Sequence, residues 1–246
     1  MMKVIRVNDY QEISQKAFEE IKKTVTEKPD AVLGLATGSS PVGLYQLMIK
    51  DHEENGTSYR QVRTYNLDEY VGLPKEHPES YYSFMHRNLF DGLDIPEENI
   101  HIPSSEGDLK EQCEAYNRAL DENVIDVQIL GIGSNGHIGF NEPGTSFDSV
   151  THVVDLNLST IQDNARFFDN DITKVPVQAI TMGISNVMAA KKIILVANGE
   201  NKANAIQACV MGPVTENVPA SVLQEHPDVV IIVDKAAASS LYKEKR

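Results

Sequence analysis

The chain is short of cysteine, of basic residues and of long apolar runs, and each shortage removes a class of function. Its two cysteines, Cys113 and Cys209, stand far apart, with no Cys-x-x-Cys pair and no clustered His/Cys set. That speaks for a reducing compartment and against a structural zinc. Lys and Arg number 22 against 36 Asp and Glu, a net charge of −14, which disfavours nucleic acid or an acidic membrane surface as partner. No apolar run approaches membrane-spanning length, and the opening residues MMKVIRVNDYQ lack the apolar core of a secretory leader. A cytoplasmic protein is expected. There is also no internal repeat, low-complexity stretch or long linker, so the expectation for 246 residues, 41% of them hydrophobic, is a single domain over 1–246.

What is present is an alternation of short apolar runs with amphipathic segments. Strands are expected at Lys3–Val7, Ala31–Ala36, Val62–Asn66, Val127–Gly131, Gln178–Gly183, Lys192–Ala197 and Val229–Asp234. Between them, Tyr10, Ile13, Ala17, Ile21 and Val25 share one helical face after the potential caps Asn8 and Asp9. A second helix opens at Pro41, and others are expected over Ser80–Phe90, Leu109–Asn123, Asn201–Met211 and Lys235–Tyr242. Nearly continuous apolar strands separated by helices imply a doubly wound, mostly parallel α/β sheet with helices on both faces, a Rossmann-like three-layer sandwich.

Such a fold binds ligands beyond the carboxyl ends of its strands. Polar segments follow four of the expected strands: Thr37-Gly38-Ser39-Ser40, Leu67-Asp68-Glu69, Ser134-Asn135-Gly136-His137 and Asn198-Gly199-Glu200-Asn201-Lys202. The first is a small-residue loop at a helix start, where free N–H groups and the positive helix end favour an anion. It has neither the lysine of a nucleotide-triphosphate loop nor the glycine spacing of a dinucleotide fold, so a monophosphate fits it better. On local sequence alone an ordinary serine-capped turn is the more common reading. Lys202 near a helix start opposes the macrodipole, for which a bound anion is a natural reason, although taken alone a solvated surface lysine is the more common case. Arg166 is a candidate phosphate clamp, or else a partner of Asp169 or Asp171. Asp68 at a strand end is placed as a general base, although on local sequence alone a turn or cap aspartate is the more common case; Glu69 beside it should face the other way. His137 lies among glycines, with Glu142 five residues on to orient or charge its ring, or else is a turn histidine with no role.

These segments resemble the glucosamine-6-phosphate deaminase (isomerase) family. The residues that carry the likeness are Leu35 to Pro41, the run Tyr65-Asn66-Leu67-Asp68-Glu69-Tyr70 through His77-Pro78-Glu79-Ser80-Tyr81-Tyr82, Gly136 to Pro143, and Arg166 to Asp171. The resemblance implies conversion of glucosamine 6-phosphate and water to fructose 6-phosphate and ammonia, with no metal and no organic cofactor. Asp68 would move a proton from C2 to C1, His137 would assist ring opening, and Glu142 would hold and tune the imidazole. The 6-phosphate would lie against Thr37, Gly38, Ser39 and Ser40 with Arg166 and Lys202.

In one respect the chain departs from some relatives, which carry an aspartate two residues before the histidine; here that residue is Asn135. Asparagine accepts a hydrogen bond from the ring but adds no charge, so Glu142 is expected to carry more of that task. Relatives activated by an N-acetylated sugar phosphate use basic residues beyond this segment. Thr151 to Asp155 is poor in them, and a non-allosteric enzyme, monomer or homo-oligomer, is expected. The segment 151–174, which holds Arg166, is expected to close as a lid. Two other readings share the fold: a 6-phosphogluconolactonase and a non-enzymatic sugar-phosphate sensor.

Overall fold

The computed structural model describes residues 2–241. In chain order the regular elements are β1 (Met2–Val7), α1 (Tyr10–Glu27), β2 (Val32–Leu35), α2 (Val42–Asn55), β3 (Arg63–Asn66), β4 (Asp68–Tyr70), α3 (Tyr81–Asn88) and β5 (Ile100–His101). They continue with α4 (Leu109–Glu122), β6 (Val127–Leu130), β7 (His152–Asp155), α5 (Leu158–Asn164), β8 (Gln178–Thr181), α6 (Ile184–Met188), β9 (Lys192–Ala197), α7 (Ala203–Met211) and β10 (Val229–Asp234).

Seven strands form a wholly parallel sheet in the order β1-β10-β9-β6-β2-β3-β5. Its central strands are apolar on both faces because helices cover both. One buried cluster joins Ile13, Ala17 and Ile21 of α1 and Leu44, Tyr45 and Met48 of α2 to Leu33, Leu35, Ile129 and Ile194. The other joins Tyr116 and Leu120 of α4 and Ile206 and Cys209 of α7 to Leu130, Ile193, Leu195 and Ile231. From β2 the chain builds outward through β3 to β5, and β6 then returns to the opposite side of β2. Loops after β2 and β6 therefore diverge, which opens a crevice at the carboxyl ends of these two strands.

Gln178–Gly183 does not join the main sheet as expected. Gln178–Thr181 lies in a separate antiparallel sheet, β4-β8-β7. Its partner β4 is the segment that reads as a polar turn; three residues holding two carboxylates have no strand pattern, and tertiary pairing of Asp68 with Thr181 decides their conformation. The helix expected over Lys235–Tyr242 also differs. Residues 235–241 are turns, in which the Ala238 N–H reaches back to Asp234 but the Ser239 and Leu241 N–H groups close three-residue turns; Tyr242 lies outside the described residues. Among the described residues no helix is long and apolar enough to cross a membrane.

Candidate active site

A cavity of about 670 Å3 opens at the crevice, and all four polar segments reach it. Its lining includes Thr37, Gly38, Ser39 and Ser40 after β2, Asp68 after β3, Ser134 and His137 after β6, and Asn201 and Lys202 after β9. Arg166 enters from the segment after α5.

The loop after β2 is anchored from behind by two tyrosines. The buried Tyr45 hydroxyl donates to the Ala36 carbonyl at 2.5 Å and accepts the Ala36 N–H at 3.1 Å. Tyr10 donates to the carbonyls of Ser39 and Ser40 at 2.8 and 3.1 Å and accepts the Gly43 N–H at 2.9 Å. No side chain caps α2, whose N-cap is Pro41, so Ser39 and Ser40 are not used as caps; the Val42 and Gly43 N–H groups go to the Ser39 carbonyl and the Tyr10 hydroxyl, and it is the 37–40 loop itself that faces the cavity.

Asp68 and Glu69 sit side by side in β4, point opposite ways and have opposite environments. Glu69 accepts the N–H groups of Tyr70 and Tyr81 at 2.8 and 2.9 Å on one oxygen and that of Tyr82 at 2.9 Å on the other, fastening the start of α3. Asp68 faces the cavity and has no hydrogen-bond partner among the described residues. Burial, helped by the charge of Glu69, pushes its carboxyl up to about 8. A carboxyl of that kind changes state near neutrality, as a general base should.

His137 is held by a closed loop, with Gly133 donating its N–H to the His137 carbonyl at 2.9 Å. A Cβ on Gly133 would lie 2.2 Å from the imidazole, so only glycine lets the ring pack there. The ring's Nδ1 is 2.7 Å from the Asn135 side-chain oxygen, which also accepts the His137 backbone N–H at 3.1 Å. The Asn135 amide nitrogen in turn donates to Glu142 at 2.7 Å. This chain fixes the amide orientation and makes Nδ1 the protonated nitrogen, which leaves Nε2 as an acceptor. Glu142 stands 3.6 Å from Nδ1. The hold on the ring that the resemblance gave to Glu142 is thus exerted first by Asn135, with Glu142 acting on the amide and, through space, on the ring. His137, with Asn135, keeps the Glu142 carboxyl below its usual range against partial burial.

The two cations are arranged differently. Lys202 is the N-cap residue of α7, which no side chain caps, and burial lowers its ammonium pKa. Arg166 lies exposed with its guanidinium 4.7 Å over the Phe167 ring. The carboxylates considered as its partners are engaged elsewhere: Asp169 with Lys174 at 2.9 Å and Asp171 with Thr173.

One wall of the cavity is built from residues whose sequence context does not mark them as part of a site. Tyr70, Tyr81, Phe140 and Phe168 line it with Glu79 and Asn164. Tyr81 stacks on Phe140 with ring centroids 6.2 Å apart, and Tyr70 lies 4.8 Å from Tyr81. Asn164 donates to the Tyr70 hydroxyl at 2.8 Å, linking the Arg166 segment to the strand of Asp68. The signal for this wall was the aromatic content of the Tyr65–Tyr82 run. Among the described residues no group of three or more His, Cys, Asp or Glu is disposed to hold a metal ion.

Comparison with known proteins agrees with this arrangement. The family model for glucosamine-6-phosphate isomerases/6-phosphogluconolactonase matches residues 8–232. A glucosamine-6-phosphate deaminase of Thermoanaerobacter pseudethanolicus is 51% identical over 240 residues, covering 97% of this chain and 94% of the relative. One of Lysinibacillus sphaericus is 52% identical over 233 residues, covering 94% and 98%. Among solved structures, a monomeric glucosamine-6-phosphate deaminase superposes with a TM-score of 0.93 at 45% identity, over 97% of this chain and 100% of that one. A 6-phosphogluconolactonase of Trypanosoma brucei, at 21% identity and a TM-score of 0.79 over 98% of this chain and 99% of that one, shares the fold. The match along the whole cavity-forming chain shows that this protein belongs to the glucosamine-6-phosphate isomerase/6-phosphogluconolactonase family.

Proposed function

We propose that the protein is a glucosamine-6-phosphate deaminase, and that Asp68 is its proton-transferring base. The observation that carries the assignment of the base is the unpartnered, buried Asp68 carboxyl in a cavity whose strand-end loops supply phosphate-binding groups. The 6-phosphate lies against Thr37, Gly38, Ser39 and Ser40, with Arg166 and Lys202 supplying positive charge against the chain's overall −14. A phosphate beside Lys202 offsets the desolvation that lowers its pKa.

The chemistry follows from what each group can do. His137, with Nε2 bare, moves a proton between the C1 hydroxyl and the ring oxygen, which opens the pyranose and creates the C1 aldehyde. C2–H is acidic only next to that carbonyl, so ring opening precedes proton abstraction. Asp68 takes the C2 proton, giving an enolamine, and returns a proton to C1. The resulting C2 imine adds water; the C–N bond then breaks, leaving fructose 6-phosphate and ammonia. Asn135 and Glu142 keep His137 in the required tautomer.

A cytoplasmic location belongs to the same reading, supported by two free, buried cysteines. So does a monomeric, non-allosteric enzyme, supported by the likeness to a monomeric deaminase. A sigmoidal velocity curve made hyperbolic by N-acetylglucosamine 6-phosphate would overturn that part. The first assay is ammonia release from glucosamine 6-phosphate, beside galactosamine 6-phosphate and 6-phosphogluconolactone, for wild type and Asp68→Asn. Ammonia and fructose 6-phosphate from the glucosamine ester, lost in the variant, are expected. Hydrolysis of the lactone without ammonia from either amino sugar would make it a lactonase.

A further inference from the structure

The charge in the cavity is divided in a way that an anionic ligand alone does not account for. Arg166, Lys202 and the N–H groups after β2 meet there, but so do two carboxylates, Asp68 and Glu79. Glu79 is half-buried, just ahead of α3, and its position is fixed by its neighbours. Its own N–H donates to His77 Nδ1 at 3.1 Å. The next residue, the fully buried Ser80, donates its hydroxyl to the Lys75 carbonyl at 2.5 Å and caps α3 through the Ser83 N–H at 3.0 Å. The Glu79 carboxylate has no partner among the described residues. It lines the cavity with Tyr70 and Tyr81, whose rings are 4.8 Å apart, and Tyr70 belongs to the same short strand as Asp68.

A free carboxylate there raises the cost of binding any sugar phosphate, whose phosphate carries about −2. A ligand with a positive charge of its own near that carboxylate recovers the cost. Glucosamine 6-phosphate has one in the ammonium group on C2, the carbon from which the base must take its proton. Asp68 is unsuited to be that partner, because it is committed to C2–H whenever it is ionised.

We propose that Glu79 pairs with the C2 ammonium group and thereby distinguishes an amino sugar phosphate from its hydroxyl counterpart. The proposal rests on the deaminase reading and adds to it a specificity residue. The test compares wild type, Glu79→Gln and Glu79→Asp by KM and kcat for glucosamine 6-phosphate. It also takes the inhibition constants of glucose 6-phosphate, which has a hydroxyl at C2, and of inorganic phosphate. Glu79→Gln is expected to raise KM about tenfold with little change in kcat, and to leave both inhibition constants unchanged or tighter. Glu79→Asp keeps the charge and is expected to hold KM within about threefold of wild type. An unchanged KM in Glu79→Gln, an equal weakening of substrate and both inhibitors, or a KM for Glu79→Asp as high as for Glu79→Gln would each overturn it. Wild type that releases no ammonia would instead overturn the deaminase reading.

Discussion

Two aspartates are buried to nearly the same degree at opposite ends of the sheet, Asp126 with 8% and Asp68 with 7% of its surface exposed. Asp126 precedes β6 and is fully matched: Lys191 at 2.8 Å, Lys28 at 2.7 Å and the Val32 N–H at 2.9 Å. Burial alone would raise its carboxyl, but these partners together hold it below the usual range. Asp68 follows β3, has none of these partners, and is raised to about 8. The amino end of the sheet therefore uses a buried charge to fasten three strand entries, whereas the carboxyl end keeps one unmatched and ready to react. Equal burial, opposite chemistry: partners decide the outcome.

Three substitutions test this contrast. The largest effect is expected of Asp68→Asn, which should lower kcat by about a thousandfold or more while making the protein more stable. Because the folded carboxyl is raised from 3.8 to about 8, the stability it contributes is complete below about pH 4 and declines as pH rises through about 8. The stability gap between variant and wild type should then widen across that window, by an amount on the order of several kcal/mol. Urea unfolding at pH 5 and pH 9 checks it; an equal gap at both would show that Asp68 is matched after all.

Asp126→Asn should do the reverse, costing about 2 kcal/mol of stability and leaving kcat of the folded enzyme unaltered. The figure is kept low because Lys28 and Lys191 are 43% and 60% exposed. With its folded carboxyl held low, Asp126 contributes above about pH 4, and the gap should close as pH falls through the lowered value. Denaturant midpoints across acid pH measure this. The smallest change is expected of Asn135→Asp, which sets a second carboxylate against Glu142 and the ring. It removes the amide N–H that Glu142 accepts and should lower kcat/KM by about fivefold; an unchanged kcat/KM would mean that the link from Glu142 through Asn135 does not orient the ring.

Six of the seven strands of the main sheet were legible, and β9 and β10, apolar at nearly every position, have the expected bounds of Lys192–Ala197 and Val229–Asp234; β5, two residues long, is too short to carry a pattern. The second sheet was not, since Asp68-Glu69-Tyr70 owes its strand conformation to β8 rather than to its own residues. For the cavity, the segments at strand ends were legible from the rule that ligands gather there, as their shared lining reflects. Glu79, Asn164 and the aromatic wall lie on connections whose path into the cavity no periodicity encodes. Likewise, sequence spacing places Glu142 near His137 but cannot show that Asn135 stands between them.

The two thiols of this chain are both buried, with Cys209 pushed up to about 12 and Cys113 also raised by burial. Maleimides and similar reagents attack thiolates, so the native chain is already a nearly silent background for site-directed labelling. A single cysteine introduced at exposed Leu158 would be tagged alone, with no need to remove the native pair. A dye there, on the helix that leads to Arg166, would show whether the 151–174 segment moves when sugar phosphate is added.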